Sequence, residues 1–202
     1  MFRRKNKQEK ALKEVNNLKV QTRRKEKIKK EKVDKKWIRQ IIITTFILSF
    51  ILSFISETTI PSLSLIFGIL LTLIFVLLGI LFDILGVAVT SADIKVFHSM
   101  SARKVPGARL AVKLKQNTEK VSNFCCDVVG DICGIISGAA AATISVAIST
   151  RLKTDPLTTS ILIAAIVASL TIGGKALGKS FAINKSNIIL YEVSKVISYI
   201  KK

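Results

Sequence analysis

Asp83, Asp127 and Asp131 lie inside long apolar stretches of the sequence, and Asp93 and Lys175 close the ends of two of them. A charge at the middle of a bilayer costs about 2.5–3.5 kcal/mol or more, so each of these side chains needs a local partner. Carboxylates gathered in one low-dielectric site raise one another's pKa and stay ionised only beside a cation. Two cations are on offer. A divalent ion held where Asp83 of one helix meets Asp127 and Asp131 of another makes a cation pathway. Lys175 in that role makes an ammonium–carboxylate pair and a structural network instead, unless it extends its stem to the interface. Both readings stay open at this level.

Nothing comparable points to catalysis. His98 is the only histidine and stands near basic residues with no nucleophile motif. Ser91 and Ser137 suit hydrogen bonding between helices better than nucleophilic attack. Gly173-x4-Gly178-Lys179-Ser180 satisfies the phosphate-loop pattern literally, but it ends an apolar run instead of following a strand. No enzyme activity is expected. Cys125, Cys126 and Cys133 lack CxxC spacing and a second ligand cluster, which points to packing rather than to a disulfide or a zinc site.

The elements that must position these groups are the apolar runs themselves, at roughly 38–56, 63–90, 124–150 and 158–174. Half of the 202 residues are apolar while the net charge is +19, a combination rare in a soluble domain of this size. The runs are long enough to cross a bilayer as helices. The expected fold class is therefore all-α, a polytopic membrane protein with four transmembrane helices. Residues 1–40 carry 17 Lys or Arg against 5 acids, and the net charge is +5 over 91–123 and again over 175–202, against −1 over 57–62 and +1 over 151–157. Basic loops stay on the cytoplasmic side, so both termini are expected there, in a multi-pass protein of the cell membrane. A long charged stretch before the first run, with no small-residue cleavage site, predicts a retained helix rather than a signal peptide.

Residues 1–36 read as a basic cytoplasmic tail whose apolar residues are too unevenly spaced for a heptad seam. Topology control is its simplest role. Its charge also favours anionic lipid headgroups, and nucleic acid is not expected as a partner. Trp37 and Arg39 are interfacial anchors that open an additional transmembrane helix and outer turn over 37–62. The second run, at about 28 residues, exceeds a roughly 30 Å hydrocarbon core and must tilt or protrude. Gly68, Gly79 and Gly86 along it offer close helix approach or a bend.

Between the second and third runs, Ile94, Phe97 and Met100, then Leu110, Leu114 and Val121, are separated by the turn signal Pro106-Gly107. They predict two amphipathic cytoplasmic surface helices. Asn117-Thr118 reads as a cap leading into the third span. There Gly130-x-x-x-Gly134-x-x-x-Gly138 forms a small-residue ridge that lets helices approach and, at Gly130 and Gly134, rock. Asp127 and Asp131, four residues apart, are expected on nearly the same face, pointing into the bundle. Asp155-Pro156 turns the chain into the fourth run. Ile189, Val193, Val196 or Ile197 and Ile200 then predict an interfacial amphipathic helix over 186–202.

Three segments in this order resemble the transmembrane domain of the CorB/CorC and cyclin-M family of magnesium transporters. Ala88-Val89-Thr90-Ser91 with Pro106-Gly107-Ala108 is similar to the family's A-L-T-S and R-G-A, and Val129-Gly130-Asp131 resembles its I-G-N. Gly174-x-x-Leu177-Gly178-Lys179-Ser180, running to Asn184, resembles its G-E-x-x-P-K-T before a C-terminal belt helix. The likeness covers roughly 64–202 and implies a core over 63–185, a belt helix over 186–202 and a homodimer. It also implies transport of a divalent cation, magnesium or cobalt; on this sequence Asp83 and Asp131 are the expected Mg2+ ligands, Asp127 an additional charge lining the entry, and Thr90 and Ser91 further oxygens. The departures fall on the chemistry. The family's serine-rich stretch S-x-x-x-S-G-S-E is here Gly79, Asp83, Ile84, Leu85 and Gly86, and its glutamate before the P-K pair is Lys175, although Mg2+ takes about six oxygen ligands. The nucleotide-sensing CBS pair that follows the membrane domain in most members is expected to be missing, since the sequence stops at Lys202. The alternative function is a non-transporting membrane scaffold or regulator whose carboxylates pair with Lys175.

Overall fold

The computed structural model describes residues 35–60 and 64–200. The basic tail expected over 1–36 and the outer turn at Pro61 therefore lie almost wholly outside the described residues. The chain divides into two units, Met1–Thr44 and Thr45–Lys202, and the first helix, α1 (Lys35–Thr59), runs through the division. Along α1, Phe46, Phe50 and Phe54 stack at four-residue spacing, with ring centroids 6.4 and 6.5 Å apart. All three are exposed, as a helix face turned to hydrocarbon permits.

Beyond α1, the described residues of the second unit form helices joined by short turns: α2 (Leu65–Ser91), α3 (Ile94–Ala102), α4 (Ala108–Gln116), α5 (Thr118–Asn123), a π-helical segment (Phe124–Gly130), α6 (Asp131–Leu152), α7 (Pro156–Asn184) and α8 (Ser186–Ile200). Four helices are long and apolar enough to cross a membrane: Lys36–Thr59, Leu65–Ser91, Thr118–Leu152 and Pro156–Asn184. The third and fourth outrun the apolar runs that announce them. The third starts six residues earlier, because α5, the π segment and α6 join end to end. The fourth continues ten residues beyond 174, so Lys175 and Lys179 stand within a continuous helix instead of at its end. Its start is set by Asp155, which caps it by accepting from the Thr158 N–H at 2.9 Å, with Pro156 in the first turn, where a missing N–H costs nothing.

α2, α6 and α7 pack on one another. The inward seam of α2 runs Gly68, Thr72, Val76, Gly79, Asp83, Gly86 and Val89, a three-and-four spacing that keeps one stripe against its neighbours. That of α6 runs through Ile132, Cys133, Ile136, Ser137, Ala140, Ala141, Ile144, Ser145 and Ser149. Three of its buried hydroxyls are satisfied within the helix: Ser137 donates to Gly134, Ser145 to Ala142 and Ser149 to Val146, at 2.7–3.0 Å. In lipid such back-bonding removes the need for a partner across the interface.

α3, α4 and α8 gather at the C-terminal end of α2, where Val89, Ala92, Phe97, Ala111 and Leu190 form a buried cluster. Lys115 of α4 reaches the last carbonyls of α2, donating to Val89 at 2.9 Å and Thr90 at 2.7 Å. A cation there answers both the orphan carbonyls and the negative end of the helix dipole. Burial holds its pKa below the ordinary lysine value, and the Asp93 charge opposes the shift. Asp93 caps α3 through the Lys95 N–H and gives its own N–H to the Asn187 side chain at 2.9 Å. The expected surface helices are thus present, folded onto α8. Ser186, Leu190 and Ser194 face the protein, Ile189 and Val193 are half-buried, and Val196, Ile197 and Ile200 are exposed. Small serines let the α8 backbone come close, and Ser194 satisfies itself on the Leu190 carbonyl at 2.7 Å.

Candidate functional site

Two glycines and two isoleucines bring the charges together. Gly174 and Gly178 of α7 sit directly against Ile80 and Ile84 of α2. A Cβ built at Gly178 would stand 2.7 Å from Ile84 Cγ1, and one at Gly174 would run into Ile80 Cδ1. Each glycine precedes a lysine, so this approach lays Lys175 and Lys179, one turn apart on α7, along the interface that contains Asp83.

Lys179 Nζ lies 3.4 Å from Asp83 Oδ2. Asp83 is almost wholly buried, its side chain 4% exposed, whereas that of Lys179 is 51% exposed. Among the described residues, Oδ2 of Asp83 is the buried side-chain oxygen without a hydrogen bond, so the ion pair is what answers its charge. Lys175 Nζ donates to Asp131 Oδ1 at 3.1 Å, and here the exposures are reversed, 19% for the lysine and 65% for the carboxylate. The lysine is held near Gly130, its Nζ 3.7 Å from where a Cβ of that residue would lie.

The arrangement corrects several expectations. Asp127 and Asp131 are both exposed and neither is buried in the bundle, Asp131 meeting α7 only where Lys175 reaches out to it. The inward side of this segment is Val128, Gly130, Ile132 and Cys133, and each aspartate precedes one of those residues around the helix. Ser91, expected among the ligands, is exposed at the end of α2, eight residues and about 12 Å of helix from Asp83. The tandem glycine ridge holds at Gly130, which meets α2 at Gly79. At Gly134 and Gly138 nothing lies within 4 Å of a Cβ, so that part of the ridge packs against nothing within the described residues. Asp93, at the end of the second apolar run, is the helix cap described above. The pairing of Lys179 with Asp83 was missed, although its signal was readable: Lys175 and Lys179 are four apart, each after a glycine.

The glycines of α2 have their own tenants. At Gly86 a Cβ would strike Cys126 Sγ and stand 3.2 Å from the Ser122 carbonyl. At Gly79 it would stand 3.2 Å from Cys133 Cβ and 3.3 Å from the Gly130 carbonyl. The π segment presses into the space these glycines leave, and Cys126 donates weakly to the Asp83 carbonyl at 3.6 Å. The cysteines are free thiols used in packing. Among the described residues no group of three or more His, Cys, Asp or Glu side chains is placed to hold a metal ion. Of the positions expected to hold Mg2+, Asp83 faces Lys179, Asp131 is paired with Lys175, and Asp127 and Ser91 are exposed.

No protein-family model, curated protein or solved structure matches the chain.

Proposed function

We propose that this is a multi-pass membrane protein of the non-transporting kind, a scaffold or regulator whose intramembrane carboxylates are neutralised by its own lysines. One observation carries the reading: Asp83 and Asp131 each face a lysine of α7, at 3.4 and 3.1 Å. An ammonium in contact with a carboxylate does electrostatically what a divalent ion would do in the same place. The filled space at Gly79 and Gly86 favours the same view, because those are the positions where the CorB/CorC-like pattern carries oxygen ligands. Four crossings bring both ends of the chain to one side, and the basic segments argue for the cytoplasmic side of the cell membrane. The exposed apolar residues of α8 suit an interfacial position, and the open face at Gly134 and Gly138 suits a second copy of the chain.

Magnesium or cobalt transport is the second reading, favoured by the unbonded Oδ2 of Asp83 and by a lysine exposed enough to withdraw from it. Here the metal is cargo, passing a carboxylate that Lys179 vacates.

Thermal unfolding of the purified chain in Mg2+ separates the two, because a ligand bound only by the folded state raises its stability by mass action. No shift up to tens of millimolar Mg2+ is expected for the wild type. A saturating shift that disappears in Asp83→Asn would replace the proposal with the transport reading.

A further inference from the structure

A cavity of about 560 Å3 opens where the α3–α4 turn meets α8, lined by Lys104, Pro106, Gly107, Arg109, Lys113 and Ser198 among others. Its lining holds three cations and no carboxylate. Four other lysines of this unit are engaged: Lys175, Lys179 and Lys195 in ion pairs and Lys115 on carbonyls. Among the described residues Lys104, Arg109 and Lys113 have no acidic partner. Arg109 and Lys113 are four apart on α4 and so project from one face, while Lys104 joins them from the turn at φ 57°. Unpaired like charges held around one hollow repel one another and favour an anion between them.

The position is built into the fold. Gly107 has φ 81°, and a Cβ there would stand 2.8 Å from the Lys195 Cα. The α4 start is thereby seated on α8 and the cavity keeps its wall. Val105 and Leu110 add apolar surface to the lining, and Ile197 and Ile200 of α8, on either side of Ser198 in sequence, are exposed. Basic groups beside apolar surface match an amphiphile with an anionic head.

We propose that this cavity binds a phosphate group, with Arg109 and Lys113 gripping its oxygens, Lys104 adding charge and Ser198 a hydroxyl. Arg presents a planar fork suited to two phosphate oxygens and Lys a point charge. An anionic lipid headgroup and a soluble phosphate share this chemistry. The proposal stands apart from the ion-pair reading, since none of these residues touches Asp83 or Asp131 in a bond described above.

The test uses the full chain in a neutral detergent, with thermal unfolding and native mass spectrometry as readouts. Short-chain phosphatidate, short-chain phosphatidylcholine and inorganic phosphate are the probes. Saturable binding of phosphatidate is expected, weaker by roughly fivefold for each cation lost, the factor that about 1 kcal/mol per basic group implies, and so by roughly thirtyfold in Arg109→Gln/Lys113→Gln. Lys95→Gln/Lys120→Gln, which removes equal charge from exposed positions outside the cavity, should leave it unchanged. Binding of inorganic phosphate at the same concentrations identifies a soluble ligand, and binding of phosphatidate alone identifies a headgroup; either supports the site. Equal binding of phosphatidylcholine, equal binding by the double variant, equal loss in the Lys95→Gln/Lys120→Gln control, or no saturation with any probe overturns it. If the double variant does not fold, Lys113→Gln and Lys104→Asn, which tolerates the left-handed φ, carry the same comparison.

Discussion

Replacing Lys179 with Met removes the cation facing Asp83 and keeps an unbranched side chain of similar reach. The carboxylate it leaves behind is 4% exposed, with an oxygen that has no hydrogen bond. A fully exposed pair is worth about 0–1 kcal/mol, and breaking a fully buried one costs about 3–5 kcal/mol. With one partner buried and the other 51% exposed, Lys179→Met should fall between these limits, at about 1–3 kcal/mol. Asp83→Asn in the Lys179→Met background removes the stranded charge and should restore most of that loss. The corresponding cycle for Lys175→Met and Asp131→Asn should give a smaller coupling, about 1 kcal/mol or less, because Asp131 is 65% exposed and exposed pairs contribute little. Unfolding in mixed micelles, monitored by helicity, gives the four stabilities of each cycle. A coupling near zero between Lys179 and Asp83, or a larger one between Lys175 and Asp131, would refute the assignment of Lys179 as the cation that keeps Asp83 in the bundle.

Two further outcomes follow from the geometry. Gly178→Ala places a methyl 2.7 Å from Ile84 Cγ1 and should cost about 1–3 kcal/mol by overpacking, whereas Gly134→Ala meets nothing within 4 Å and should leave the stability of the monomer unchanged or slightly raised, as read from denaturant midpoints; equal losses at both positions would contradict the packing described. At the start of α7, the Thr158 hydroxyl and N–H hold the Asp155 carboxyl below its ordinary 3.8. A depressed carboxylate pKa stabilises the fold above the unfolded value and ceases to do so as pH falls through the folded one, so the stability difference between wild type and Asp155→Asn should be constant above about pH 5 and shrink below pH 3.8; a difference independent of pH across that window would deny the cap its charge.

The sequence by itself determined that the described residues are all-α and which four runs are long and apolar enough to cross a membrane, because span length and hydropathy are properties of a run read in one dimension. It also announced the two surface helices around Pro106-Gly107, since a turn signal between short apolar stripes needs no partner to be recognised. It could not say which face of a span meets protein. Lipid is as apolar as the interior, so Ile84 packed on Gly178 and Ile135 facing outward look alike in hydropathy, and the amphipathic signal that orients helices in water is absent. Asp127 and Asp131 were therefore legible as anomalies but not as exposed ones. Lys175 looked like the end of a span because apolarity stops there, while the α7 hydrogen bonds continue to Asn184. Only the tertiary structure decided that Lys179 answers Asp83 and Lys175 answers Asp131, since that pairing depends on how closely α2 and α7 approach, and two glycines with no side chain of their own set that distance.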